Sequence, residues 1–273
     1  MLDIEKLKEI VVEAGKIAMK YYDEDYDIQK KHDDSPVTEA DFAVNDYISS
    51  SLENLYPNIS IISEENCQKE NLQASKQSKI FIIDPIDGTK AFISKESQFT
   101  INIGYVEGGK FLLGFIYVPI LDILYYSDYQ NSYKIINVQD AKILKKDGND
   151  LNNGIIQISS LGRGEQKILL EEFKSLLIKK NIHSASSYKF CLIAEGVADF
   201  YPRRGNMKIW DVAAAFGILK FLNYQFLDLE GNEITLQTMI KDFSIPSFNL
   251  FRSKEVVDYI KINLLNSFNS SSE

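Results

Sequence analysis

Cysteine and histidine are scarce in this chain of 273 residues, which contains two of each. Cys67 and Cys191 cannot form a disulfide framework, and no motif around either one indicates a thiol nucleophile. With only His32 and His183, neither a histidine-based catalytic triad nor a zinc site is expected. Acid–base chemistry would therefore depend on carboxylates and on water bound to a metal ion.

Excess positive charge and long apolar runs are also absent. The formal net charge of −9 argues against binding a nucleic-acid polymer, because that function needs a basic surface. No apolar run reaches membrane-spanning length, and the first residues lack the basic-then-apolar order of a signal peptide. We therefore expect a cytoplasmic protein without a transmembrane segment, peripheral contact with the inner membrane remaining an open alternative.

The most informative segment is Asp84-Pro85-Ile86-Asp87-Gly88-Thr89, which directly follows the apolar run at residues 80–83. That run predicts a buried strand that ends where the hexapeptide begins. The two aspartates, joined by a stiff proline link, can share a hard divalent cation such as Mg²⁺. The glycine lets a ligand approach the backbone, and the threonine adds a hydroxyl where a helix could begin. A plain turn after a core strand explains the same residues, so this segment alone leaves both interpretations open.

Other acidic residues occupy comparable positions at strand ends and helix starts. Glu64 and Glu65 follow the apolar segment 59–62, and Asp41 lies in the first turn of a helix that Thr38 is predicted to cap. Asp211 follows Trp210 at the start of an alanine-rich helical stretch, where its charge favours the helix dipole. Each acid alone is ordinary as a solvated side chain or a cap. Together they favour a cation site built from several carboxylates.

The remaining pattern predicts a mixed arrangement of helices and strands. Two long helices are expected before residue 57, and a β-hairpin is expected from residues 99–118, turning at Gly108 and Gly109. A strand near 155–159 and a helix near 165–180 should follow the polar stretch that ends at residue 154.

Taken in chain order, these motifs resemble those of the lithium-sensitive, Mg²⁺-dependent phosphatases. That superfamily includes inositol monophosphatases, fructose-1,6-bisphosphatases and 3′(2′),5′-bisphosphate nucleotidases. The resemblance extends beyond residue 230 and implies an α+β fold, a five-layered αβαβα sandwich. It implies an N-terminal α+β half, residues 1–150, with most metal ligands. The C-terminal α/β half, residues 151–273, would carry Asp211 and the specificity residues.

Three segments are similar to bacterial bisphosphate nucleotidases in particular, namely residues 31–41, 89–93 and 186–203. Inositol monophosphatases usually carry at the position of Arg203 a glutamate that accepts hydrogen bonds from inositol. The guanidinium of an arginine only donates hydrogen bonds, which suits a substrate that carries a second phosphate. The simpler alternative is that Arg203 forms an ion pair with a nearby acidic side chain. Ala91 and Ala185 depart from the usual Glu and Gly of that branch, which leaves substrate preference open.

The resemblance further implies a role for each site residue. Glu64, Asp84 and the Ile86 carbonyl would hold one Mg²⁺, and Asp84, Asp87 and Asp211 a second; a third, weaker ion near Asp41 and Glu64 stays open. Water would be activated by Thr89 together with Glu64 or Asp41. The backbone of Gly88 and Thr89 would bind the phosphate, and the substrate-binding set would include Lys189, Arg203 and Asp211.

The resemblance implies that the substrate is a small phosphorylated nucleotide. The expected reaction is hydrolysis of adenosine 3′,5′-bisphosphate to AMP and phosphate, in sulfur assimilation or nucleotide salvage. Alternatives are an inositol-1-phosphate phosphatase, a broad sugar-phosphate phosphatase, or a non-catalytic Mg²⁺-binding regulatory protein. Both a monomer and a homodimer are compatible with the sequence.

Overall fold

A computed structural model describes residues 1–23, 28–30, 36–66, 79–137, 141–145, 150–160, 173, 176–205, 207–236 and 243–270. For residues 28–30, 36, 159–160 and 264–270, only the backbone is described. Lys31, His32, Cys67 and part of the polar stretch before residue 154 lie outside these ranges. None of the helices in the described ranges combines the length and the hydropathy that a membrane crossing requires.

The α-helices of the described residues fall into an N-terminal pair, two short central segments, one buried helix and a C-terminal helix. They are α1 (Ile4–Tyr22), α2 (Glu39–Leu55), α3 (Thr89–Ile93), α4 (Tyr188–Ala194), α5 (Trp210–Leu219) and α6 (Lys254–Ser270). The predicted cap of α2 is confirmed, because Thr38 lies at its N-cap and donates through both its backbone N–H and its hydroxyl to Asp41.

Most strands belong to one of two sheets, and four short strands form two separate pairs. In chain order the strands are β1 (Ile28–Lys30), β2 (Pro36–Thr38), β3 (Ser60–Ser63), β4 (Lys79–Asp87), β5 (Thr100–Glu107), β6 (Lys110–Val118), β7 (Ile123–Ser127), β8 (Ser132–Ile136), β9 (Lys142–Ile143), β10 (Ile155–Ser160), β11 (Ile178–Ser184), β12 (Phe200–Arg203), β13 (Met207–Lys208), β14 (Gln225–Asp228), β15 (Ser244–Ile245) and β16 (Phe248–Phe251).

The larger sheet has seven strands in the order β3-β4-β5-β6-β7-β8-β9. Strands β3 and β4 run parallel, and every later pair is antiparallel. The smaller sheet has five strands in the order β11-β10-β12-β16-β14, with β10 parallel to both of its neighbours. The remaining pairs are β1 with β2 and β13 with β15.

Three apolar clusters join these elements into five layers. One cluster packs α1 and α2 on the outer face of the seven-stranded sheet. The largest fills the space between the two sheets, where α4 and α5 lie. A third packs α6 on the far face of the five-stranded sheet. The predicted αβαβα sandwich is therefore confirmed, while the division at residue 150 stays a prediction.

Two local predictions meet different outcomes. The hairpin is confirmed, since β5 and β6 pair with Glu107 opposite Lys110 and the two intervening glycines have positive φ angles of 58° and 77°. The helix near 165–180 lies mostly outside the described residues. Its last three residues were predicted wrongly, because they belong to β11, which pairs with the buried strand β10.

The strand before the hexapeptide is also longer than predicted. β4 does not end before Asp84 but continues to Asp87, with its pairing to β5 shifted between these two residues. Pro85 has no N–H to donate to the ladder, so an irregularity here is expected. Such bulges change the direction of the side chains that follow them. The turn that the sequence suggested at residue 84 begins at Gly88 instead.

Helix α5 lies unusually close to the seven-stranded sheet, and glycines make this possible. A Cβ atom on Gly114 would lie 1.8 Å from the carbonyl oxygen of Ala214. A Cβ on Gly217 would lie 2.2 Å from the carbonyl oxygen of Leu113. Because real Cβ atoms cannot approach so closely, only glycine permits this backbone contact. The position of Asp211, in the first turn of α5, depends on it.

We predict that Gly114→Ala destabilises the protein by about 1–3 kcal/mol or more, because the added methyl must push α5 away from the sheet. Thermal or denaturant unfolding measures the effect. Gly109→Asn is the control, since Gly109 has open space around it and asparagine tolerates its positive φ. Equal stability of Gly114→Ala and the wild type would contradict the close contact.

Candidate active site

The alternation of β4 directs Asp84 into the space between the sheets. Ile80 and Ile82 face the central cluster, whereas Phe81 and Ile83 face α1 and α2. Asp84 continues the even-numbered series on the face that α5 covers. Its side chain is 1% exposed, and across the sheet it pairs with Asn102, which is equally buried.

Asp211 meets this edge of the sheet from the opposite side. It lies in the first turn of α5, and its Oδ2 accepts a hydrogen bond of 2.8 Å from the backbone N–H of Lys208. This contact fixes the carboxylate at the start of the helix, where the dipole favours negative charge.

Asp84, Asp87 and Asp211 form a group of carboxylates whose candidate ligand oxygens all lie within 4.8 Å of one another. The shielding of Asp211 from water, together with the charges of Asp87 and Glu64, raises its pKa to about 8. Arg203 and the N–H of Lys208 act in the opposite direction. Carboxylate oxygens without nitrogen or sulfur donors suit a hard cation of the Mg²⁺ type. The residues present therefore fit a divalent metal.

Glu64 lies beside this group without belonging to it. Its backbone N–H donates to the carbonyl of Ile83 at 3.2 Å, which ties the end of β3 to β4 next to Asp84. Its negative charge contributes to the raised pKa of Asp211. Glu64 and Glu65 are both half-buried. The placement is compatible with the role predicted for Glu64.

Thr89 lies between two of the predicted site residues. Its hydroxyl is 3.4 Å from Asp41 Oδ1 and 3.3 Å from the carbonyl oxygen of Ile86. The other oxygen of Asp41 accepts both the hydroxyl and the N–H of Thr38, at 2.6 and 2.8 Å. Of the two partners predicted for Thr89, the structure thus pairs it with Asp41.

Gly88 occupies the turn between β4 and α3 with a φ of 90°, a conformation that L side chains rarely adopt. A Cβ here would also lie 3.1 Å from the side chain of Ser186. The backbone conformation therefore requires glycine, and an added side chain would also press against the neighbouring loop. The turn brings Thr89 back towards the Ile86 carbonyl.

Lys189 and Arg203 are the cations predicted to bind the substrate. Lys189 is 6% exposed, and its Nζ lies 5.8 Å from the centre of the Tyr201 ring. Tyr201 and Arg203 lie two positions apart on β12, so their side chains share one face of the sheet. The positive charge of Arg203 opposes the rise in the pKa of Asp211.

The neighbouring Arg204 has different contacts. Its guanidinium donates to the carbonyl oxygen of Phe248 at 2.9 Å and to the side chain of Asn249 at 3.1 Å. Arg204 therefore has a structural role.

A family model described as the inositol monophosphatase family matches residues 3–247. The chain belongs to the inositol monophosphatase family. A protein named 3′(2′),5′-bisphosphate nucleotidase CysQ from Buchnera aphidicola is 37% identical over 220 residues, 79% of this chain and 80% of that protein. The protein of the same name from Salmonella typhimurium is 32% identical over 250 residues, 90% of this chain and 98% of that protein.

The solved structure of CysQ from Bacteroides thetaiotaomicron, described as a bacterial member of the same family, has a TM-score of 0.76 to this chain. It is 25% identical and covers 90% of this chain and 96% of its own. The inositol monophosphatase family is metal-dependent, and the carboxylate group described above could bind a metal. The predicted family resemblance is confirmed.

Sequence reasoning missed several polar residues, some in contact with the carboxylate group and others in the loop next to it. In that loop, and without contact to the carboxylate group, Gln98 Oε1 accepts the hydroxyl of Ser184 at 2.9 Å and the N–H of Ala185 at 2.8 Å. Ser187 and Asn102 both contact Asp87. A buried polar residue inside the apolar strand β5 was the signal that could have pointed to Asn102.

We predict that Asp211→Asn changes the pH dependence of folding in the metal-free protein. The folded-state pKa of Asp211 lies above its ordinary value of 3.8, so between the two values the folded form holds a proton that the unfolded chain releases. Wild-type stability should therefore fall relative to the variant as pH rises from about 5 to about 8. Thermal unfolding of both proteins in EDTA measures this difference. A difference that stays constant across that range would contradict the raised pKa.

Proposed function

We propose that this chain is a Mg²⁺-dependent 3′(2′),5′-bisphosphate nucleotidase. It removes the 3′-phosphate of adenosine 3′,5′-bisphosphate by attack of water and releases AMP and inorganic phosphate. The observation that carries the proposal is the group formed by Asp84, Asp87 and Asp211, whose candidate ligand oxygens all lie within 4.8 Å of one another. The names of the curated relatives support the same activity. The proposal includes a cytoplasmic location and is compatible with a monomer or a homodimer.

Arg203 and Lys189 would hold the phosphate that is not cleaved. Lys189 packs on Tyr201, and Arg203 lies two residues further along the same face of β12. Two cations at this edge can bind one dianion, and guanidinium forms strong bidentate hydrogen bonds with phosphate. Inositol 1-phosphate carries no second phosphate for these cations. The arrangement therefore favours a bisphosphate.

Asp84, Asp87 and Asp211, with Glu64 and the Ile86 carbonyl, would hold two Mg²⁺ ions, a third near Asp41 being an alternative. Bound Mg²⁺ would neutralise the charge of the phosphate to be cleaved and make water more acidic. The carboxylates themselves keep the site anionic, and Arg203 limits that charge. Backbone N–H groups of Gly88 and Thr89 would bind phosphate oxygens.

Thr89 and Asp41 would handle the proton of the attacking water. A threonine hydroxyl that donates to Asp41 Oδ1 keeps its lone pairs for a water molecule and so orients it. Because Oδ2 of Asp41 is already engaged by Thr38, Oδ1 is the oxygen that can take up a proton through Thr89. General acid–base catalysis of this kind contributes roughly 10²- to 10⁴-fold.

The substrate assignment predicts a selective effect of Arg203→Ala. The KM for adenosine 3′,5′-bisphosphate should rise roughly 10- to 100-fold, the equivalent of one charge-assisted hydrogen bond to the retained phosphate. A nucleoside 3′-monophosphate, which lacks that phosphate, should show little change. Phosphate release in Mg²⁺, measured with both nucleotides, inositol 1-phosphate and fructose 1,6-bisphosphate, tests this.

Arg204→Ala is the matched control, because it removes a neighbouring arginine whose contacts are structural. It should lower stability without changing discrimination between the substrates. Equal losses of Arg203→Ala on both nucleotides would remove Arg203 from the second-phosphate site. Faster turnover of inositol 1-phosphate than of the nucleotide would overturn the proposed substrate class. If none of the substrates is turned over in an EDTA-sensitive reaction, the proposed enzymatic activity itself is overturned.

The proton-transfer role predicts that Thr89→Ala lowers kcat by about 10²-fold or more. Thr89→Ser keeps the hydroxyl and should retain most of the activity. Mg²⁺ affinity, measured by calorimetry, should change little in either variant, because the Thr89 hydroxyl is not proposed as a ligand. Loss of Mg²⁺ affinity in step with activity would instead make Thr89 a ligand or a structural residue.

A further inference from the structure

Ser187 lies at the centre of a buried hydrogen-bond network that joins the two sides of the site. Its Oγ is 2.5 Å from Asp87 Oδ2, 2.8 Å from the carbonyl oxygen of Asp211 and 2.9 Å from Asn102 Nδ2. The same Asn102 nitrogen is 3.3 Å from Asp87 Oδ2. Ser187 and Asn102 are each 1% exposed, so water does not compete for these bonds.

The chemistry of a hydroxyl limits what Ser187 can do. It has one hydrogen and here has two acceptors within reach, Asp87 and the Asp211 carbonyl. The Asn102 amide donates to the serine oxygen and so directs the serine hydrogen away from itself. The shorter distance and the negative charge both favour donation to Asp87, since hydrogen bonds to a carboxylate are the stronger ones.

Asp87 needs such a donor because two other carboxylates surround it. Asp84 and Asp211 lie in the same group, and their negative charges repel the Asp87 carboxylate. With Oδ2 engaged by Ser187 and Asn102, Oδ1 is the oxygen left for a cation. The direction of the carboxylate is then set before any cation arrives.

We propose that Ser187 is a positioning residue for the cation site and acts by orienting Asp87. The inference rests on the proposed function, because it assumes that Asp87 binds the metal. Ser187 is also the N-cap of α4, the helix that carries Lys189. Ser187 therefore lies between the proposed cation site and the helix that carries part of the proposed binding site of the retained phosphate.

The test is the Mg²⁺ affinity of Ser187→Ala, measured by calorimetry on metal-free protein. Groups that orient a metal ligand typically contribute 10- to 100-fold in metal affinity, and a loss of that size is expected here. Ser184→Ala is the matched control. Ser184 is a fully buried serine three residues earlier, and its hydroxyl donates to the neutral side chain of Gln98. Its removal should leave the Mg²⁺ affinity unchanged.

A second measurement separates positioning from general stability. Saturating Mg²⁺ should raise the Tm of the wild type and of Ser184→Ala by similar amounts, and that of Ser187→Ala by clearly less. A purely structural serine would lower the Tm equally with and without Mg²⁺. If Ser187→Ala does not fold, Asn102→Ala removes the other donor to Asp87, and it too should weaken Mg²⁺ binding.

The results distinguish failure of this inference from failure of the proposed function. A wild type that binds no Mg²⁺ would overturn both. A wild type that binds Mg²⁺, with unchanged affinity in the folded Ser187→Ala protein or in its Asn102→Ala substitute, would overturn the positioning role alone. Equal loss of affinity in the Ser184→Ala control would also overturn it, because the effect would then be general to the loop.

Discussion

Repulsion among Asp84, Asp87 and Asp211 is the constraint around which the site is built. Two like charges about 4 Å apart repel by about 4 kcal/mol in a protein-like dielectric. A single hydrogen bond to a charged group contributes about 1.5–3 kcal/mol. One donor therefore cannot hold such a group of carboxylates together. The surroundings supply several, from Lys208, Ser187 and Asn102. Burial raises the pKa of Asp211, and the charges of Asp87 and Glu64 raise it further, while the N–H of Lys208 opposes the shift.

The fold resolves this constraint through packing between distant parts of the chain. Asp84 and Asp87 come from the seven-stranded sheet, whereas Asp211 comes from a helix between the sheets. Glycines in the strands and in α5 let the helix backbone approach the sheet closely enough for the carboxylates to meet. The energy that opposes the repulsion is therefore largely apolar burial in the central cluster. A single substitution at the helix–sheet contact can therefore displace Asp211 from Asp84 and Asp87 without replacing any of the three carboxylates.

The local parts of the site could be predicted from the sequence, because they depend on short spacings. The hexapeptide, the Thr38 cap with Asp41 and the position of Asp211 in a first helical turn all follow from neighbouring residues. The contacts of Ser187 could not be predicted in this way, because its partners Asn102 and Asp87 are separated from it by 85 and 100 positions in the chain. The extension of β4 through Pro85 was missed because pairing with β5 overrides the turn preference of the segment. The structural role of Arg204 depends likewise on β16, far along the chain.

The central claim is that these three carboxylates form a divalent-cation site, and anomalous scattering from crystals grown with Mn²⁺ tests it most directly. Mn²⁺ takes the same oxygen ligands as Mg²⁺ and can be located by its anomalous signal. We expect a peak in contact with oxygens of Asp84, Asp87 and Asp211, which disappears in Asp84→Asn crystals of unchanged fold. The absence of a peak there at a Mn²⁺ concentration that supports turnover, or a peak that persists in Asp84→Asn, would contradict the claim.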